Sequence, residues 1–399
     1  MKHRTKTALF VLIAAMLSGI CSGQTWQPTS APTNGLWLSA AASSNATKLV
    51  ASYVDLFNGV GAIYSSTDSG ATWTRVLSST NVYNSVACSQ DGVKVVVSWS
   101  WGDSGGVYTS TNLGATWARA TGLPNRPFGP VSSSADGTKL VVGGDGIYVS
   151  TNSGASWSLT SALTNGWFSI AGSADERTLA AIPSDRSAIY VSLDSGASWC
   201  LDTWNASGRW QAVASSADGK KMVAVTLWPY GIWTWDYTSF NWQQTSAPLF
   251  HSWESVACSA DGVGLVAVSG LGDGMICIST DSGGTWNCDI PFFDIVAQWL
   301  CVASSATGNR LLAAGMITPN QGSLYIYSTP APLLSISHSG RGALLSWSTY
   351  PGGFFPEQTL DLNTDIWAPV TSHPFVVSNQ NGILISSPVG RAFYRLSAR

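Results

Sequence analysis

The chain has 399 residues, of which 45% are hydrophobic and only 10% charged, with a formal net charge of −3. Typical soluble domains carry about 25% charged residues, so this surface must be built mainly from Ser, Thr, Asn and Gly. No Lys/Arg cluster occurs, which excludes a nucleic-acid partner, because phosphate contacts need a concentrated basic face, and disfavours a membrane-surface role.

Residues 1–23 read as a secretory signal. Lys2, His3, Arg4 and Lys6 form a basic start, Ala8–Leu17 is an apolar run too short to span a bilayer, and Cys21-Ser22-Gly23 offers small residues for cleavage. Ile20, where a small residue is usual, argues against a lipoprotein. No other stretch is a membrane-span candidate, so the mature chain is expected to be secreted, extracellular or periplasmic. Its cysteines are then Cys88, Cys200, Cys258, Cys277, Cys288 and Cys301. An even set in an exported chain permits disulfides. Cys277 and Cys288 flank one hairpin and are the candidate pair; buried free thiols are the alternative. Neither the cysteines nor the four histidines form a zinc-type cluster, so no metal or other cofactor is expected.

From residue 24 to 330 one phrase recurs. It reads Ser66-Thr67-Asp68-Ser69-Gly70-Ala71-Thr72-Trp73 and returns at Ser110–Trp117, Ser150–Trp157, Ser192–Trp199 and Ser279–Trp286, with a damaged copy around Thr234–Trp242. The starts fall 40 to 45 residues apart, and such a period means stacked copies of one supersecondary unit. Alternating apolar runs flank the phrase, so it predicts a β-hairpin. Its acid staples the turn in Asx fashion, Gly70 supplies positive φ, and Trp73 covers the hairpin. The acid is Asp68, Asp194, Asp236 or Asp281 in four copies but Asn112 or Asn152 in two others. Asn keeps the acceptor oxygen and loses the charge, so the position reads as structural rather than catalytic.

A second signature precedes each phrase: an aromatic, small residues, then Ser-x-Asp-Gly or a relic of it. The aromatics are Trp37, Tyr83, Phe128, Trp167, Trp210, Trp253 and Trp299, which makes seven units. Each parses as four short strands, the propeller solution to the edge-strand problem. The seventh lacks its fourth strand. Trp26-Gln27-Pro28-Thr29-Ser30-Ala31-Pro32 matches Trp242-Gln243-Gln244-Thr245-Ser246-Ala247-Pro248, the fourth strand of the fifth unit. Residues 24–31 are therefore expected to complete the last blade. The fold class is all-β: a seven-bladed β-propeller closed by its N-terminal strand, then a small β-sandwich over residues 333–399.

The phrase Ser-x-Asp-x-Gly-x-Thr-Trp resembles the Asp-box (BNR) repeat of sialidases, xyloglucan-degrading glycosidases, sortilin-like receptors and a photosystem II assembly factor. The resemblance implies a β-propeller and no single activity. Leu344–Trp347, Asp365–Trp367 and Phe393–Leu396 resemble an immunoglobulin- or fibronectin-III-like module of secreted bacterial proteins, from which Pro351–Glu357 departs by replacing the usual central strand.

Function should sit on the face opposite the Asp-boxes, where the loops vary. Candidate ligand-binding residues there are Trp99, Trp101, Trp228, Tyr230, Trp253, Arg186 and Arg209. The seven aromatics that open the blades suit either inter-blade packing or an aromatic-lined pocket for a neutral ligand such as a glycan. Sialidases use three arginines, a Tyr/Glu pair, an Asp acid and an Arg-x-Pro motif before the first box. Here no arginine lies between the signal and the first box, and Arg126-Pro127 comes too late. Arg126, Arg186 and Arg209 would have to converge near Tyr230 and Glu254. Another glycosidase needs two carboxylates set about 5 to 9 Å apart; Asp103 with Asp145 or Asp273 are the candidates. The leading expectation is a monomeric, non-catalytic scaffold that binds a glycan or a protein, with a glycoside hydrolase as the alternative.

Overall fold

Short hairpins that each present apolar residues on both faces can bury them only between neighbours. The computed structural model describes residues 26–201, 209–227, 229, 231–270, 274–291, 298–318 and 321–328, and then 334–339, 342–348, 354–360, 367–372, 374–377, 380–385 and 392–398. Among the described residues there is no helix. Between Gln27 and Ser328 they form seven four-stranded antiparallel sheets. The first blade runs Leu36–Ala42, Leu49–Asp55, Val60–Ser66 and Thr74–Ser79, and the next five repeat that chain order.

The ring closes twice over. In the seventh sheet Gln298–Ser304, Arg310–Thr318 and Gln321–Ser328 are completed by Gln27–Pro28, with Gln27 opposite Ile326 and Pro28 opposite Tyr325. Proline is tolerated because this is the outer edge of the blade. Trp26 is buried beside Trp299 and Tyr327, at ring distances of 5.7 and 5.2 Å. The second closure is a circle of backbone hydrogen bonds. The N–H of Ser44 donates to Gln90, Gln90 to Ala135, Ala135 to Ala174, Ala174 to Ala217, Ala217 to Ala260, Ala260 to Ala306 and Ala306 back to Ser44, all at 2.7 to 2.8 Å. Each donor is the variable residue of a Ser-x-Asp-Gly turn or its relic, so the turn that ends one inner strand also locks it to the next blade.

Blade interiors follow from this geometry. A strand lying between two neighbouring blades is covered on both sides and reads as a continuous apolar run. Leu49–Asp55 and Leu179–Pro183 are buried at every position. Nearer the axis, Ser39, Ser85, Ser169 and Ser255 each accept the backbone N–H of the following blade, from Val86, Val131, Val213 and Val302. Small residues are needed there because the inner strands converge.

After residue 334 two further sheets appear. One orders Ser335–Ser339, Gly342–Ser348, Gln380–Ile385 and Phe375–Val377; the other orders Ala368–Pro369, Phe354–Thr359 and Phe393–Ala398. Leu345, Trp347 and Ile383 of the first sheet form a small core with Tyr394 and Leu396 of the second. The expected gap at Pro351–Glu357 is corrected: Phe354–Thr359 is a strand, paired residue for residue with Phe393–Ala398. Cys277 and Cys288 are disulfide-bonded across one hairpin, with Cα atoms 4.1 Å apart. Cys88, Cys258 and Cys301 are free, and burial pushes their thiols up to about 12.

Candidate functional site

The two ends of the propeller are chemically different. At one end the Asp-box turns and the Ser-x-Asp-Gly turns are joined directly, for example by Ser69 N–H donating to Thr47 O at 2.9 Å and Ser282 N–H to Val263 O at 2.9 Å. Asp68 accepts from the Thr72 N–H at 2.8 Å and the Thr72 hydroxyl at 2.6 Å. Those bonds hold its carboxyl below the usual range. Asp194 and Asp281 repeat the geometry. In the Asn112 and Asn152 copies the backbone bond is retained, and the side-chain bond reverses, with Nδ2 donating to Thr116 at 2.9 Å and to Ser156 at 2.8 Å. In the damaged copy Asp236 staples a tighter turn through Thr238.

One residue at this end breaks the pattern. Glu176 stands where five other turns have Gly and one has Ala46, and it keeps their left-handed backbone (φ 51°). Its buried carboxyl accepts from Ser132, which itself replaces the alanine of the other inner strands, at 2.6 Å. The other carboxyl oxygen has no partner among the described residues. Desolvation raises Glu176 to about 8, opposed by the Ser132 bond and Lys139.

At the opposite end, six of the seven inner strands carry a β-bulge immediately after the aromatic that opens the blade. A bulge inserts one residue and re-aims its side chain. The aromatics themselves are packed away, none more than 5% exposed. The residue after each one, Leu38, Asn84, Gly129, Phe168, Gln211, Glu254 or Leu300, instead lines a solvent-open axial cavity of about 390 Å³. Seven blades thus present six different residue types around one mouth.

The polar side of the mouth lies on blades four to six. Gln211 is 93% buried by its 7% exposure, and its amide N–H donates to Glu254 Oε2. Its carbonyl oxygen has no partner among the described residues. Glu254 is half-buried, and its other oxygen lies over Gly270, where a Cβ would come within 2.6 Å of it. Desolvation raises this carboxyl above the ordinary glutamate range, against the pull of the Gln211 bond and of Arg186. Arg186 stacks on Phe168 with its guanidinium carbon 3.9 Å from the ring centroid. Burial and the like charge of Arg209 lower Arg186 from its ordinary value. A backbone bond from Trp210 N–H to Arg186 O, 3.1 Å, fixes the arginine loop beside Gln211. Following blade six round the mouth, Leu300 and Leu38 give blades seven and one an apolar side.

The structure therefore brings Arg186, Arg209 and Glu254 into one neighbourhood and adds Phe168 and Gln211, which composition alone did not single out. The signal was present as a variable residue after a constant aromatic. Trp253 is corrected from ligand contact to core, fully buried between blades. Trp99 is likewise corrected: it is 7% exposed, packed beside Tyr83, with Arg119 5.7 Å from its ring. Trp101 is 58% exposed at the end of the same strand. Trp228, Tyr230 and Asp273 lie outside the described residues. Asp103 sits on an exposed turn beside Trp101. Asp145 is tied to Arg126 at 3.3 Å and to the Tyr148 hydroxyl at 3.0 Å, so neither it nor Arg126 lines the mouth. Among the described residues no group of His, Cys, Asp and Glu could hold a metal ion.

No family model and no curated protein matches the chain. Among solved structures it is similar to YCF48 bound to a D1 peptide (16% identity, 77% of this chain and 98% of that one, TM-score 0.60) and to YCF48 from Cyanidioschyzon merolae (16%, 77% and 99%, 0.58). It is also similar to the GH74 xyloglucanase from Xanthomonas campestris (16%, 81% and 59%, 0.59). The match spans about three-fifths of that xyloglucanase. At these identities the likeness shows the fold: this chain is a β-propeller of the kind seen in YCF48 and in GH74 enzymes.

Proposed function

We propose that the protein is an exported, non-catalytic propeller that binds a glycan or a protein at the mouth of its axial cavity. The carrying observation is that, among the described residues, Glu254 is the single carboxylate lining that mouth, and that it is already bonded to Gln211. A glycosidic bond needs a second carboxylate across from the first. Asp145, Asp55 and Asp185 are instead bonded within their own loops or to their neighbours. That one YCF48 structure is bound to a peptide supports propellers of this shape as docking platforms.

The second reading, a glycoside hydrolase, draws support from the GH74 likeness and from the raised proton affinity of Glu254, which suits a general acid. The deciding experiment measures both hydrolysis and equilibrium binding of the mature chain on glycan and peptide panels. Binding without turnover, weakened in Glu254→Gln, supports the platform. Turnover abolished by Glu254→Gln would replace it with the hydrolase.

A further inference from the structure

The mouth contains one buried acceptor oxygen that no donor among the described residues satisfies, Gln211 Oε1, next to the half-buried Glu254 carboxylate, of which Oε2 is the oxygen bonded to Gln211. The two residues lie on adjacent blades, coupled by that hydrogen bond. A buried acceptor left without a donor costs free energy that a ligand's donor recovers. The question is which donor.

A cation would meet Arg186 and Arg209, two positive side chains close enough for one to perturb the other. An anion would face the Glu254 carboxylate and could not donate to the Gln211 oxygen at all. A hydroxyl group both donates and accepts. One hydroxyl would satisfy the Gln211 oxygen, its neighbour would donate to the Glu254 carboxylate, and a third oxygen would accept from the edge of the Arg186 guanidinium, whose face is occupied by Phe168. On the next two blades round the mouth, Leu300 and Leu38 offer an apolar wall for the C–H face of a ring.

We propose that this mouth takes a neutral sugar residue, held by vicinal hydroxyls on Gln211 and Glu254 and by its apolar face on the leucines. The proposal rests on the binding function given above and narrows it from glycan or protein to uncharged glycan.

The test is calorimetric titration of the full mature chain with neutral cello-, xylo-, manno- and chito-oligosaccharides, with oligogalacturonates, with chitosan oligomers and with a peptide library. The expected result is binding of at least one neutral series. It should weaken at least tenfold in Gln211→Ala and in Gly270→Ala, which drives the Glu254 carboxyl from its place. Because Gln211→Ala could disturb the inner ring, Leu38→Trp serves as a second variant that fills the mouth and leaves the hydrogen bonds intact; it should abolish the same binding. Acidic or cationic oligomers, or peptides, binding in a way that Leu38→Trp removes would overturn the sugar assignment and leave the binding function standing. Binding of some ligand untouched by every mouth variant, or none at all, would overturn both.

Discussion

The two ends of the propeller are made by the same seven repeats and differ in one respect: whether polar atoms find partners inside the protein. At the Asp-box end each box aspartate is consumed by its own turn, and Asp68 and Asp281 are held ionised by those bonds. At the mouth, Gln211 keeps a buried acceptor oxygen without a partner among the described residues, beside the partly desolvated Glu254 carboxyl. Saturated polar groups stabilise; unsaturated ones wait for a ligand and lower stability in the meantime. Repetition marks the first kind of surface and variation the second.

The sharpest test of the scaffold end is removal of residues 26–31. This deletes the closing strand and buried Trp26. Large aromatic truncations alone cost about 3 to 5 kcal/mol, so loss of cooperative urea unfolding, or a lowered midpoint with an unfolding free energy reduced by more than that, is expected. An unchanged midpoint would mean the ring is held by the backbone circle alone.

Glu176 is the exception at the scaffold end and should behave like a mouth residue. Its folded-state value, about 8, lies above its ordinary 4.5. The folded protein therefore holds a proton that the unfolded chain releases. Stability should be greatest below the unfolded value and fall as the pH rises from about 4.5 toward 8, by on the order of a few kcal/mol. Glu176→Gln should flatten that slope in denaturant midpoints measured from pH 4 to 8.5. A slope retained in the variant would assign it elsewhere.

Smaller effects follow at the boxes. Asp281→Ala should cost about 1 kcal/mol, the worth of an ordinary turn hydrogen bond. Asp281→Asn should be nearly neutral, since Asn112 and Asn152 already show that geometry at work. Equal losses in both variants would mean that charge matters there. The smallest change is expected at the mouth: Glu254→Gln should leave the melting temperature unchanged or slightly raised. A clear fall would make Glu254 part of the scaffold.

The scaffold was legible because its determinants are local and repeated. The Ser66–Trp73 phrase defines its own turn, and the likeness of residues 26–32 to 242–248 marks the closing strand in the sequence itself. The mouth was legible only in part. Arg186, Arg209 and Glu254 stood out by charge, but Gln211 and Phe168 acquire meaning only when bulges on separate blades aim them at one axis. Trp99 and Trp101 show the limit of composition. Two residues apart, they point to the same side of a strand, yet the neighbouring packing covers Trp99 and stops short of Trp101, which stands where the strand gives way to the turn.

The pairing of Gln27 with Ile326 also sets an order in time. The two partners are separated by about 300 residues, so this contact is among the least local in the chain and forms late. Until then the outer edge of Gln321–Ser328 presents open strand. A chain caught at that stage has one vacancy and one loose segment that fits it. Two such chains can fill each other's vacancies, so crowding during synthesis favours strand-swapped pairs whose blades are all individually correct.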